Sequence, residues 1–340
     1  MCNIILSISR NNLLYETIND KIQKLISLGI NGFRINLAKI SDNEMVKAYE
    51  SICNLIYHNN LYELEFIFDI PYPRRKIRIT KLFNGYMELK TNDIIRLKGY
   101  DSCFEFSEKN VVGVDEIDFN ISIGKIIYFA DGEGAFECIF IKKNDVYLKA
   151  LNNFAIYEGK SLTLGVIENQ NYQELFNVCR NIKQMVKNFH FALSFTENKN
   201  DIDYFCNAIN CSKEKVLSKI ETQEGIDRIN EILENSDGII LGRGDLYFYS
   251  EPNKFFCNCL NVMKNTLASK KKFYLCTDIL TSLLDEFIVK RSDLIDISFF
   301  KAIGCENYIL SAAFAKSENI NYAVKTIKES EIPKSLLLKF

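Results

Sequence analysis

The chain has 340 residues, 47% of them apolar and 25% charged, with a formal net charge of −2. That length accommodates one large barrel plus a smaller domain, and the charge balance supplies no broad basic surface for nucleic acid. No apolar run approaches the roughly 18 residues of a membrane span, and the N-terminus lacks the basic start of a signal peptide.

In chain order, Asn3 to Ile8 reads as a first strand. Leu14, Ile18, Ile22, Leu25 and Ile26 recur by threes and fours and predict a helix, which Gly29 closes. Asn31 to Leu37 is a second strand containing Arg34 and Asn36. Ser41 and Glu44 have capping-box spacing for a helix running to about Tyr57. Leu64 to Ile70 is a third, buried strand ending at Asp69, after which Pro71 and Pro73 are expected to break regular structure. From about 79 to 164 helical periodicity disappears. Short alternating runs replace it, with turns at Asn84-Gly85 and Asp131-Gly132, so a small all-β insertion is expected. Strands then recur at 189–195, 216–220, 239–241, 272–276 and 307–310, with helices between them and a last helix at about 319–329. Three strands before the insertion and five after it make eight, the count of a (β/α)₈ TIM barrel. The expected layout is barrel over 1–78, inserted β lid over 79–164 after the third strand, and barrel again over 165–340.

The 11 cysteines are odd in number and contain no Cys-x-x-Cys pair, so zinc lacks its usual ligand spacing. They read as small buried residues in a reducing cytoplasm, the expected location. Cys257 and Cys259 fall in an apolar helical segment and read as packing. The two histidines, His58 and His190, leave little material for serine–histidine or histidine–zinc chemistry and read as structural.

The most informative stretch is Lys219-Ile-Glu-Thr-Gln-Glu-Gly225, followed by Ser236-Asp-Gly-Ile-Ile-Leu-Gly-Arg-Gly-Asp-Leu246. Val216 to Ile220 is a short buried strand, and residues two apart on a strand share a face, so Lys219 and Glu221 point the same way. Gly225 opens a helical run over 226–233. A second buried strand over 239–241 ends in the turn Gly242 to Asp245, which adds a carboxylate. Cation and carboxylates thus collect at C-terminal strand ends, where parallel α/β proteins form active sites. Such a set suits a divalent metal holding an anionic oxygen substrate.

This stretch resembles the pyruvate kinase family, which has Lys-Ile-Glu-Asn-x-Glu-Gly and then Ser-Asp-Gly-Ile-Met-(Val)-Ala-Arg-Gly-Asp-Leu at the same spacing. The barrel interrupted after its third strand by a β lid is also similar, over almost the whole chain. The resemblance stops where the family continues into a C-terminal regulatory domain, which implies no such regulation here and a monomer or homodimer. Arg291-Ser-Asp293 echoes a family subunit contact and favours the dimer.

The resemblance implies roles for individual residues. Arg34 would meet the substrate phosphate; from its position alone it could equally be a structural ion pair. Lys219 would stabilise charge on the transferring phosphoryl group and the enolate oxygen. Glu221 and Asp245 would hold Mg²⁺ or Mn²⁺. Gly244 would bring a backbone amide to the substrate carboxylate, and Ser194 would lie near substrate and metal. Thr277 is tied to protonation of the enolate carbon, through a water relay because threonine is a weak acid. Asn36 and Asp69 match two ligands of the family potassium site, but Ala38 and Ile70 replace its hydroxyl ligands. Lys76 replaces a family glutamate and could stand in for the ion, so potassium is not expected to be required. A solvated basic turn is the alternative reading of Arg74 to Arg78. Arg78, Asp131 and, weakly, Lys160 would face a nucleotide.

The departures cluster on the nucleotide side. The first loop is Ser7-Ile-Ser-Arg10 without the family Gly-Pro. The loop after the second strand has Ala38-Lys39. After the eighth strand stands Ser311-Ala-Ala-Phe314, where the family has Ser-Gly-Glu-Thr. Three readings follow: a pyruvate kinase-like phosphotransferase using phosphoenolpyruvate or a related enolpyruvate acid with ADP or ATP; a metal-dependent lyase, aldolase or decarboxylase working through a pyruvate enolate without nucleotide; and a non-catalytic metabolite-binding relative. Retention of Arg34 and Lys219 favours the first. Loss of the nucleotide loops favours the second. Joint retention of lysine, carboxylates and threonine argues against the third.

Overall fold

The computed structural model describes residues 2–15, 18–37, 40, 44–99, 109–115, 121–142, 145–168 and 172–330, apart from the side chains of Asn19, Asp131, Ile167 and Glu168. The chain divides into two compact units, residues 1–73 with 169–340, and residues 74–168.

In the first unit β1 (Asn3–Ile8) leads through the short α1 (Arg10–Leu14) and α2 (Asn19–Leu28) to β2 (Gly32–Asn36), then through α3 (Met45–Asn59) to β3 (Glu65–Lys81). The strands are parallel, with Ser7 opposite Arg34 and Asn36 opposite Asp69. Gly29 ends α2 at φ 103°, a left-handed conformation that glycine takes without strain. Glu44 is the N-cap of α3, and its carboxylate accepts from Arg10 Nε at 3.0 Å and Tyr15 Oη at 2.7 Å. Ser41, the other half of the expected capping box, lies outside the described residues. The proline break is corrected, since β3 runs through Pro71 and Pro73 to Lys81. Proline's fixed φ fits an extended chain. The barrel pairing shifts register between Ile70 and Pro73, where a missing N–H disturbs the ladder least.

The later half of β3 belongs to the second unit. There follow β4 (Tyr86–Leu89), β5 (Ile94–Gly99), β6 (Val111–Val114), β7 (Ile126–Phe129), β8 (Gly134–Lys142), β9 (Asp145–Ala150), β10 (Phe154–Tyr157) and β11 (Ser161–Glu168). The strands β3, β6, β5, β9, β8, β7 and β11 pair in that order, and β11 returns to β3. Strand alternation sends Ile77, Leu97, Val112, Phe129, Phe136 and Leu148 into one apolar core. Arg74 to Arg78 is strand rather than a solvated turn. Arg75 pairs with Asp115, whose other oxygen accepts from the Arg78 backbone N–H at 2.9 Å.

The first unit resumes with α4 (Gln173–Met185), β12 (Phe189–Ser194), α5 (Lys199–Ile209), β13 (Val216–Ile220), α6 (Gln223–Asp227), α7 (Ile229–Asn235), β14 (Gly238–Gly242), α8 (Arg243–Tyr249), α9 (Phe255–Ala268), β15 (Lys272–Cys276), α10 (Arg291–Ile303), β16 (Asn307–Leu310) and α11 (Ile320–Glu329). β12 pairs with β3 and β16 with β1, so eight parallel strands close into a (β/α)₈ TIM barrel. Two local expectations change. The helical run over 226–233 is two helices, α6 and α7, separated at Arg228. The first starts before Gly225 because Thr222 Oγ1 accepts from the Gly225 N–H at 3.2 Å. The turn expected at Gly242 to Asp245 is the start of α8. No helix among the described residues is long and apolar enough to cross a membrane, and the ten described cysteines are free thiols.

Inside the barrel Ile5, Ile67, Ala192, Leu217, Ile240 and Ile309 form an apolar layer. Below it, at the N-terminal strand ends, lies a polar network around the buried His190. His190 Nδ1 is 3.2 Å from Glu65 Oε1, and its Nε2 is 3.0 Å from Asp237 Oδ2, which Lys272 Nζ also meets at 2.9 Å. Asn3 Nδ2 donates to Glu65 at 2.9 Å, and Tyr274 Oη donates to its other oxygen. His190 is therefore structural, as its sequence context implied. The hydrogen bond from His190, aided by Lys272 against the effect of burial, holds the Asp237 carboxyl below the ordinary carboxylate range. A carboxylate depressed on folding adds stability above its unfolded pKa and loses it as pH falls through the folded value. Asp237→Asn is therefore expected to lower stability at pH 7 by about 1–3 kcal/mol. Melting curves at several pH values check this: the gap from wild type should begin to close below about pH 4 and narrow further as the pH falls toward the depressed folded value.

Candidate active site

Above the apolar layer, at the C-terminal ends of the strands, five charged or polar side chains converge. Asp69, at the barrel end of β3, is fully buried. Arg34 from β2 donates to Asp69 Oδ2 through Nε at 3.0 Å and also through Nη2. Lys219 from β13 places Nζ 3.2 Å from that same oxygen and 3.0 Å from Glu221 Oε1. Ser194, the last residue of β12, donates to Ile70 O at 2.8 Å, lies 3.2 Å from Asp69 Oδ1 and accepts from Lys219 Nζ at 3.4 Å. The same-face expectation for Lys219 and Glu221 thus holds in the geometry.

The charges perturb one another strongly. Burial acts to raise the Asp69 carboxyl, but Lys219 and Arg34 overcome it and hold it below the ordinary range. Burial acts to lower Lys219, but Asp69 and Glu221 outweigh it, so its ammonium is held more firmly than usual. Glu221 goes the other way. Burial, together with the negative charges of Asp245 and Asp69, pushes its carboxyl up despite Lys219 and the Phe195 amide. Glu221 is thus the carboxylate of the cluster whose charge burial and its neighbours leave least compensated.

That imbalance bears on a divalent metal. Among the described residues no group of three or more His, Cys, Asp or Glu side chains is arranged as a metal cage. Glu221 and Asp245 nevertheless lie close enough for the charge of one to raise the other. Two carboxylates with the remaining positions left to substrate and water is the usual manner of Mg²⁺ binding, so the residues present fit such an ion. Asn36 lies opposite Asp69 in the β2–β3 register. Asp69 itself is taken up by Arg34, Lys219 and Ser194.

Thr277 follows β15 in a left-handed conformation, φ 72°, as do Asp278 at 53° and Leu280 at 54°. For non-glycine residues this costs roughly 1–2 kcal/mol each, so the surroundings must enforce it. Gly244, in the first turn of α8, faces this loop: a Cβ there would lie 3.0 Å from Thr277 Cγ2. The glycine of the expected carboxylate contact and the expected proton-transfer threonine are therefore neighbours.

Three participants carried no clear signal in the sequence. Ser7 Oγ accepts from Arg34 Nη1 at 3.2 Å. The Phe195 backbone N–H donates to Glu221 Oε2 at 2.9 Å. Gly242 gives Glu221 its room, since a Cβ at 242 would fall 2.6 Å from Glu221 Cγ. Lys76, Arg78 and Lys160 belong to the second unit, where Lys160 pairs with Glu133 at 3.1 Å. The Asp131 side chain lies outside the described residues, as do Ala38 and Lys39. After β16 the Ser311 side chain caps a short turn, and Phe314 in that turn is fully buried.

The family model for the pyruvate kinase barrel domain matches residues 4–327. A pyruvate kinase of Thermotoga maritima is 24% identical over 316 residues, 91% of this chain and 66% of that protein. One of Dictyostelium discoideum is 26% identical over 228 residues, 64% of this chain and 45% of that protein. One of Staphylococcus aureus is 24% identical over 326 residues, 91% and 53%. The chain spans about two thirds or less of the length of these curated relatives. With an eight-stranded barrel, a lysine–carboxylate cluster at its C-terminal mouth and a family match along nearly all its length, this chain belongs to the pyruvate kinase family.

Proposed function

We propose that the chain is a metal-dependent phosphotransferase acting on phosphoenolpyruvate, pyruvate or a closely related enolpyruvate acid, with a nucleoside diphosphate or triphosphate as co-substrate. The observation that carries this reading is Lys219, buried among Asp69, Glu221 and Ser194 with Arg34 beside it. Two cations held by hydrogen bonds and ion pairs are the equipment for an anion whose charge shifts from phosphate to enolate. Arg34 presents a planar fork to phosphoryl oxygens. Lys219 reaches the bridging oxygen where negative charge develops. Gly244 permits close backbone approach to the substrate carboxylate, and Ser194 keeps Lys219 oriented. Thr277 holds a water at the enolate carbon and passes a proton through it. A divalent ion, when bound, neutralises the phosphoryl and carboxylate oxygens; Glu221 and Asp245 are the residues that would hold it.

Phosphoenolpyruvate turnover by the purified protein, with Mg²⁺ or Mn²⁺ and with or without ADP, tests the reading. Pyruvate formation that requires ADP supports it. A second reading, enolate chemistry without nucleotide, is favoured by the buried Phe314 in the loop after β16, where the family has polar residues. Under that reading ADP changes nothing and carries no phosphate away.

A further inference from the structure

Arg243 has no role in the reading above, yet it is among the most heavily engaged side chains near the site. It opens α8, directly between Gly242, which gives room to Glu221, and Gly244, which faces Thr277. Its side chain spans α10 and the C-terminal end of β15. Nη1 meets both carboxylate oxygens of Asp296 on α10 at 2.7 Å, and the guanidinium lies 5.4 Å over the Phe300 ring. The remaining donors go to backbone: Nη2 to Thr277 O at 2.5 Å and Nε to Cys276 O at 3.3 Å. The fork therefore spans an acid on one helix and two consecutive carbonyls at the end of β15. Those carbonyls open the segment in which Thr277, Asp278 and Leu280 are left-handed. Three such residues in four positions do not hold themselves, because each would relax to a right-handed or extended conformation in a free loop.

We infer that Arg243, braced by Asp296, is a positioning residue that fixes Thr277 for its contact with substrate. Gly244 supplies clearance on the side-chain face of Thr277, and Arg243 supplies the anchor on its carbonyl. Lysine cannot replace the anchor. Its single ammonium does not present the flat fork that addresses Asp296 and two carbonyls together. The proposal rests on the reading of Thr277 as a proton-transfer residue, so its test has an arm independent of turnover.

The variants are Arg243→Gln, Arg243→Lys and Asp296→Asn, each also in a Thr277→Ala background. Expected for Arg243→Gln is a fall in kcat for phosphoenolpyruvate of about 10–100-fold with KM within twofold, the pattern of a lost transition-state alignment. Arg243→Lys should recover little of it, and Asp296→Asn should give a smaller loss in the same direction. In the Thr277→Ala background Arg243→Gln should cost almost nothing more, because there is no hydroxyl left to position. Hydrogen exchange by mass spectrometry should show faster exchange over 277–284 in Arg243→Gln, with the other strands unchanged. A kcat within twofold of wild type, or a loss undiminished by Thr277→Ala, overturns the proposal. If wild type itself turns nothing over, the functional reading fails. The exchange arm then decides alone: unchanged protection over 277–284 removes the anchor, and faster exchange retains it.

Discussion

Lys219→Met is expected to lower turnover of phosphoenolpyruvate by at least about 10³-fold, equivalent to about 4 kcal/mol of transition-state stabilisation. Methionine keeps length and volume but removes the charge that Asp69 and Glu221 hold in place at 3.2 and 3.0 Å. The fold is expected to survive. Asp69 retains Arg34 as a partner. Glu221, already pushed upward, can take a proton and keep the Phe195 amide. The variant should therefore melt cooperatively while its rate collapses. Steady-state kinetics beside a melting curve separates the two effects. Equal losses in rate and in folded fraction would mean that Lys219 is a structural cation.

Asp69→Ala is expected to do the reverse, with stability suffering first. Asp69 accepts from Arg34, Lys219 and Ser194 and has no exposure to solvent. Removing it leaves the buried Lys219 and the largely buried Arg34 without their shared carboxylate. An arginine does not deprotonate, and Lys219 is still held charged by Glu221. Breaking a buried pair in this way costs about 3–5 kcal/mol. The sign with pH follows from the direction of the Asp69 shift. Its carboxyl is depressed on folding, so its contribution is complete above the unfolded pKa and fades as pH falls through the folded value. Urea midpoints at pH 7 should differ widely between wild type and variant. The difference should narrow below about pH 4.

The contrast between these two positions comes from which neighbours can neutralise themselves. Glu221 can, and Arg34 cannot. The same asymmetry makes the pocket receptive to ligand. Under the proposed function, Glu221 and Asp245 would hold a divalent ion, and Arg34 and Lys219 would meet the phosphoryl group.

The barrel strands were largely legible in the sequence. β1, β13, β15 and β16 are short, largely apolar runs, because both faces of a parallel barrel strand are buried. Less legible were features decided by tertiary partners. Pro71 and Pro73 read as breakers, yet β3 passes through them where its barrel pairing shifts register. Glu44 stands at the start of α3, and its carboxylate meets Arg10 and Tyr15, 34 and 29 residues away. Arg228 carries no glycine or proline signal for the division between α6 and α7.

The candidate site divides in the same way. Lys219 and Glu221 could be placed together from strand periodicity alone. Arg34 and Ser194 lie 35 and 125 residues from Asp69 and came only through resemblance. The Phe195 amide, the clearance at Gly242 and the reach of Arg243 are properties of backbone position and long-range packing, which no residue pattern encodes.

The most direct test of the central claim, that the Lys219 cluster manages charge on an enolpyruvate acid, is deuterium exchange at the methyl group of pyruvate, followed by NMR in deuterated buffer with Mg²⁺ or Mn²⁺. The account predicts metal-dependent exchange by wild type that falls at least about 10³-fold in Lys219→Met. Absence of exchange with either metal, or exchange that Lys219→Met leaves intact, would contradict it.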